Sequence, residues 1–75
     1  MISRKKVDRV CERYRGKFYF VESKLLVDIA REVGRSIKRI AMSDGYYYNA
    51  VRYRGTTFAS KTSAAVGNGI KVMTK

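Results

Sequence analysis

The sequence predicts a small α+β domain of three helices, a short strand and a C-terminal β-hairpin. Three observations carry that expectation. Apolar residues recur at helical spacing through the first half of the chain, and from Tyr46 the texture changes to the β-favouring run YYYNAVRYRGTTFAS. The 75 residues contain no proline, no repeat and no low-complexity stretch, which suits one domain.

Residues 3–15 are the first expected helix. Val7, Val10, Cys11 and Tyr14 form one apolar stripe, Ser3 is placed to accept a backbone N–H at the N-terminus, and Gly16 supplies the stop. Arg4, Lys5, Lys6, Arg9, Arg13 and Arg15 occupy the remaining positions, either as phosphate contacts or as the solvated side of an amphipathic helix. Lys17–Val21 (KFYFV) reads as one brief strand, with Phe18 and Phe20 on one side and Tyr19 and Val21 on the other. Ser23 is the next expected cap, for a helix with Leu25, Leu26, Ile29, Ala30 and Val33 as its stripe and Gly34 at its end. Ser36 is expected to cap a third helix bearing Ile37, Ile40 and Ala41 on one face, closed by Asp44-Gly45. Tyr46–Tyr53 and Thr56–Ser60 then pair as a hairpin around Arg54-Gly55. The expected domain spans residues 1–62, leaving 63–75 as a tail or an extra hairpin across Asn68-Gly69.

Charge narrows the function classes. Seventeen Lys and Arg face six acids, for a formal net charge of +11. A chain that repels itself this strongly calls for a polyanionic partner, nucleic acid first and an anionic membrane surface well behind. The charge is unevenly placed: residues 1–17 carry +5, residues 18–34 carry −1 and residues 35–75 carry +7. Histidine is absent and Cys11 is the one cysteine, read here as a small buried hydrophobe. Zinc sites, acid–base pairs and nucleophile–base pairs therefore lack their parts, which argues against an enzyme and implies no cofactor, metal or small-molecule ligand. No apolar run approaches membrane-spanning length, and MISRKKVDRV has no apolar stretch of the secretory kind. The expected location is the cytoplasm or the nucleoid.

The segment LLVDIAREVGRSIKRIAMSDG, residues 25–45, resembles the helix-turn-helix motif of DNA-binding regulators. Ala30 would sit where two helices cross, Gly34 in the turn, and Ile29, Val33, Ile37 and Ile40 inside. The Tyr-rich hairpin extends the resemblance to the winged helix-turn-helix family over roughly residues 3–60, with Arg35 departing from the family's usual small or apolar residue. The resemblance implies a third helix reading the major groove and a hairpin wing against the backbone or minor groove. On a helical wheel Arg35, Arg39 and Met42 lie opposite the apolar face, flanked by Lys38 and Ser43, with Ser36 at the cap. Arginine can bond bidentately to guanine, while lysine and serine suit phosphates; the bland alternative is a solvated cationic face. Arg52, Arg54 and Lys61 surround the wing turn, with Thr56, Thr57 and Ser60 as neutral phosphate donors. Tyr46, Tyr47 and Tyr48 are either core and sheet-face packing or a base-stacking platform for single strands.

These readings lead to an expectation of sequence-specific double-stranded DNA binding by a small transcriptional regulator, with a homodimer compatible but unsupported by any heptad. An RNA-binding or ribosome-associated protein is the first alternative. A protein-interaction module or inhibitor docking on an acidic partner is the second.

Overall fold

The computed structural model describes residues 2–66, which form a two-layer α+β fold with the element order α–β–α–β–β–β. Helix α1 (Arg4–Arg13) and helix α2 (Ser23–Val33) lie on one face of a four-stranded sheet. Its strands are β1 (Phe18–Phe20), β2 (Lys38–Ala41), β3 (Tyr46–Tyr53) and β4 (Thr56–Ala65), arranged β1-β4-β3-β2. The last three form an antiparallel meander, and β1 lies parallel to β4 on its other side.

Local chemistry explains most of the junctions. The Ser3 hydroxyl accepts the Lys6 N–H at 3.2 Å, satisfying one orphan donor of α1. At α2 the cap position falls to Glu22, without a side-chain bond; Ser23 opens the helix and shares a hydroxyl hydrogen bond with Ser60 at 3.0 Å. Gly34 ends α2 at φ 67°, and the N–H groups of Gly34 and Arg35 both reach the Ala30 carbonyl. Between β3 and β4, Arg54 and Gly55 have φ 51° and 82°, the signature of a two-residue type I′ turn.

The helix–sheet interior contains Val7 and Cys11 from α1, Leu26, Ile29, Ala30 and Val33 from α2, and Val51 and Phe58 from the sheet. Tyr19 and Val21 pack against it, so the alternation expected around β1 holds and sends Phe18 and Phe20 to the other side. Cys11 is buried, its thiol donating to the Tyr53 carbonyl at 3.4 Å. Among the described residues no helix is long and apolar enough to cross a membrane.

The structure corrects the expected fold class. The winged helix-turn-helix arrangement is absent: the described residues form the two helices α1 and α2, and the segment expected as the third is edge strand β2. Arg35 and Ser36 form the connection out of α2, Lys38–Ala41 pairs antiparallel with Tyr47–Ala50, and Met42–Gly45 makes the turn into β3. The physical reason lies in Asp44-Gly45. Gly45 adopts φ 90°, the Asp44 carboxylate accepts the Tyr46 N–H at 3.0 Å, and Met42 N–H reaches the Tyr46 carbonyl at 3.0 Å. That turn hands residues 38–41 a ladder of backbone bonds from β3. An eight-residue helix holding two β-branched isoleucines would be marginal by comparison. The wing is likewise no separate hairpin, since β3 and β4 are the middle of the sheet and β4 continues to Ala65. The expected Asn68-Gly69 turn lies outside the described residues.

Gly55 is the turn position most exposed to substitution. A Cβ there would meet Arg15 Cγ at 3.2 Å on a backbone already at φ 82°. Gly55→Ala is expected to destabilise the fold by about 1–2 kcal/mol, the usual cost of a left-handed non-glycine residue. Arg54→Gly, which relieves the same cost at the neighbouring position, is expected to raise stability by up to about 1 kcal/mol. Urea unfolding midpoints of the two variants against the parent check both signs.

Candidate nucleic-acid interface

Sheet alternation decides which side chains face away from the helices. From β1 these are Phe18 and Phe20; from β4, Thr57, Ala59 and Lys61; from β3, Tyr48, Ala50 and Arg52; from β2, Lys38 and Ile40. Ala50, Ala59 and Tyr48 form a small second cluster there, with Ile40 and Met42 packed against it. No helix covers this face among the described residues. Phe18 and Phe20 are consequently 40% and 57% exposed.

The aromatic side chains are ordered relative to one another. The Phe18 and Phe20 rings stack at 5.9 Å with an 18° interplanar angle, and Phe20 meets Tyr48 at 5.6 Å across the short Ala59 side chain. Tyr48 is fixed by Asp44, whose carboxylate accepts the phenol O–H at 2.7 Å. The Lys61 ammonium lies 3.7 Å from the same carboxylate and 4.1 Å from the centre of the Tyr46 ring. That hydrogen bond from Tyr48, assisted by the Tyr46 N–H and Lys61, holds the Asp44 carboxyl below the usual carboxylate range despite some desolvation. The same bond, with desolvation, pushes the Tyr48 phenol above its ordinary value.

Beside the aromatic pair, a trough of about 720 Å³ crosses the upper end of the sheet from the Gly16–Gly55 turns to the loop after α2. Its cationic lining is Lys17, Arg35, Lys38 and Arg52, and Phe18 forms one wall. Among the described residues none of these four cations is paired with a carboxylate; the ion pairs are Asp8–Arg54 and Asp44–Lys61. Asp8 and Glu12 belong to α1 and Glu22, Asp28 and Glu32 to α2 and its cap, so five of the six acids sit in the helix layer or at its edge. The uncovered face meets a single carboxylate, Asp44, at one end.

The residues expected from sequence distribute themselves over several places. Arg35, Ser36, Lys38 and Arg52 come together around the trough, and Lys61 lies farther along the same face. Arg39 does not join them; it points from the other side of β2, its guanidinium 5.5 Å from the Tyr47 ring. Met42 packs against the Tyr48 cluster and Ser43 is exposed in the β2–β3 turn, so the joint projection of Arg35, Arg39 and Met42 from a helix does not exist. Arg54 turns toward α1, 3.4 Å from Asp8 and above the Tyr53 ring. Thr56, expected as a phosphate donor, is fully buried, its hydroxyl donating to the Tyr14 carbonyl at 3.1 Å, and Ser60 is buried against Ser23.

Sequence reasoning passed over Phe18, Phe20 and Lys17 as site residues. Their signal was present: alternation through KFYFV puts both phenylalanines on one side, and two helices cover only one face of a sheet. Of the tyrosine run, Tyr48 joins the uncovered face and Tyr47 the other. The described residues contain no cluster of potential metal ligands. Comparison with protein-family models, curated proteins and solved structures finds no match to this chain.

The Asp44–Tyr48 bond gives a direct spectroscopic expectation. The Tyr48 phenol should ionise above its ordinary value in an ultraviolet phenolate titration, and Asp44→Asn should return it toward that value. Because the Asp44 carboxyl is held low when folded, its contribution is present above the ordinary carboxylate range and lost as pH falls through the lowered value. The acid limb of the stability profile should therefore flatten in Asp44→Asn. A phenolate titration left unchanged by Asp44→Asn would contradict the bond.

Proposed function

We propose that the protein binds single-stranded nucleic acid across the uncovered face of its sheet. The observation that carries this reading is the coincidence of an exposed stacked aromatic pair with a cationic trough, on the one face from which carboxylates are almost excluded. A single strand offers flat bases and a phosphate every nucleotide, and the face offers a partner for each. Phe18 and Phe20, with Tyr48 behind them, provide π surfaces on which any base can stack. Arg52, Lys38, Lys17 and Arg35 follow the adjacent backbone, displacing its counterions. Thr57, half-buried between Phe18 and Arg52, can add a hydroxyl to a phosphate or sugar oxygen. The platform suits two or three stacked bases, as sheet-borne platforms generally do.

A duplex fits this chemistry less well. Its bases are already stacked on each other and cannot lie on Phe18 or Phe20 without being unpaired. The expected major-groove helix has become a strand, so duplex reading has lost the element it relied on. The binding is broad in sequence, because stacking is sequence-tolerant and the cations contact a backbone common to all sequences.

Competition among a single-stranded RNA, the same sequence as single-stranded DNA and a matched duplex tests the reading. Both single strands should displace the duplex at equal concentration, and the relation between RNA and DNA reports on 2′-hydroxyl recognition. Phe20→Ala should weaken single-strand affinity by about tenfold, within the ~1–3 kcal/mol range for a base–aromatic stack, with the salt slope unchanged. Arg52→Ala should reduce that slope by about 0.7, the share of the single phosphate that Arg52 neutralises. Preferential duplex binding, or indifference to both substitutions, would overturn the proposal.

A further inference from the structure

A second cationic surface lies on the opposite side of the molecule. Val7 and Cys11 tie α1 to the helix-side face of the sheet, through the cluster that contains Val51 and Phe58. The outer side of the helix therefore points away from Phe18, Phe20 and the trough. Lys5, Arg9 and Arg13 recur there at four-residue spacing, which stacks them along one ridge, and all three are exposed. Lys6 flanks them. Among the described residues none of the four is paired with a carboxylate: Asp8 is committed to Arg54 and to the Tyr53 hydroxyl at 3.3 Å, and the exposed Glu12, the other acid of α1, is within ion-pair distance of none of them.

Folding does not account for this ridge. Like charges at four-residue spacing repel along a helix. The first turn of α1 contains no acid and instead carries Arg4, Lys5 and Lys6 at the positive end of the helix dipole, where cations are disfavoured. Arg4 has a local use, above the Tyr53 ring at 5.6 Å. Arg13, in the last turn, suits the negative end of that dipole, but Lys5 and Lys6 oppose its positive end and Arg9 lies between two like charges, so the row as a whole has its use outside the helix. The apolar stripe of α1 is consumed by the interior, which leaves no hydrophobic residues on the ridge to enter a bilayer. A phosphodiester backbone is the polyanion that such a row of cations fits.

We propose that the outer ridge of α1 binds a second nucleic-acid segment, so that one protein molecule bridges two strands held on opposite faces. This inference rests on the single-strand reading of the sheet face. Its chemical consequence is an activity beyond binding: neutralising both backbones while holding two strands together favours their pairing when they are complementary.

The experiment uses the full chain with two non-complementary oligonucleotides carrying a donor and an acceptor dye, followed by mass measurement of the complex. Energy transfer from a species with one protein and two oligonucleotides is the expected result, together with faster annealing of a complementary pair. Lys5→Glu/Arg9→Glu should abolish the transfer and the acceleration while leaving the affinity for one oligonucleotide within about threefold of the parent. Since the first substitution places an acid at the helix N-terminus, the variant should melt no lower than the parent. A complex of one protein with one oligonucleotide, or a two-oligonucleotide complex containing two protein molecules, overturns the bridging role while leaving the platform intact. Transfer that survives the double substitution does the same. Failure of the parent to bind even one oligonucleotide defeats the platform reading, and the bridge with it. Vesicles of anionic lipid form the final arm: a ridge-dependent attachment to them, with strand bridging unchanged in the variant, assigns the ridge to a membrane and overturns the proposal.

Discussion

Strand β4 is the constraint from which the rest of the structure follows. It is paired on both sides, parallel to β1 and antiparallel to β3, so its alternation is locked by backbone bonds rather than by side-chain preference. Thr56, Phe58 and Ser60 must face the helices, while Thr57, Ala59 and Lys61 must face away. A slip of one residue would place Lys61 beneath α2 and expose Phe58, which is 1% exposed. The type I′ turn at Arg54-Gly55 sets the register with β3, and the Gly16 N–H to Gly55 carbonyl bond of 2.8 Å joins the start of β1 to that turn. One turn thus positions both neighbours of the central strand.

That register produces the two unlike faces. The helix-side face supplies Val51 and Phe58 to an interior that two helices of ten and eleven residues can close. Neither α1 nor α2 lies on the opposite face, and there the side chains change character. Ala50 and Ala59 cluster with Tyr48, and Ile40 and Met42 pack against them, so the described residues of that face form a small apolar centre of their own. Phe18 and Phe20 stay at the margin, ordered by stacking yet open to solvent. Asp44 completes the arrangement by orienting Tyr48 and engaging Lys61, which leaves Lys38 and Arg52 as the strand cations of that face without a carboxylate partner among the described residues.

The elements that were legible in the sequence are those whose ends are set by local chemistry. The Ser3 cap, the left-handed Gly34 and the Arg54-Gly55 turn each act within a few residues, and α1, α2 and the β3–β4 hairpin lie where those signals put them. Residues 36–43 failed for a specific reason. Ile37, Ile40 and Ala41 fit a helical stripe, whereas an edge strand half open to water needs no apolar alternation: Lys38, Arg39 and Ala41 are all exposed and only Ile40 is partly covered. Asp44-Gly45 fits a helix end or a hairpin turn equally well by composition, and the choice between them is made by the unpaired edge of β3, which lies outside any local window. The binding face was obscured by the same step. With Arg35, Lys38 and Arg39 assigned to a helix, they formed one group; on a strand, Lys38 and Arg39 point to opposite sides, and Lys38 joins Arg52, a residue fourteen positions away.

Charge and exposed aromatic surface are best understood as one device. Stacked phenylalanines beside open sheet edges would ordinarily invite copies of a protein to associate. Here β1 is only three residues long, β2 presents Lys38 and Arg39, and every molecule carries a formal charge of +11. Repulsion therefore holds two uncovered faces apart, and the edges offer little backbone to pair. A polyanion reverses the balance, because the cations that keep copies separate draw its backbone toward the trough and bring its bases over the rings. The surface can then stay apolar enough to stack a base without being buried by its own kind. A neutral chain with the same sheet would have to cover Phe18 and Phe20 with another element, and would lose the platform in doing so.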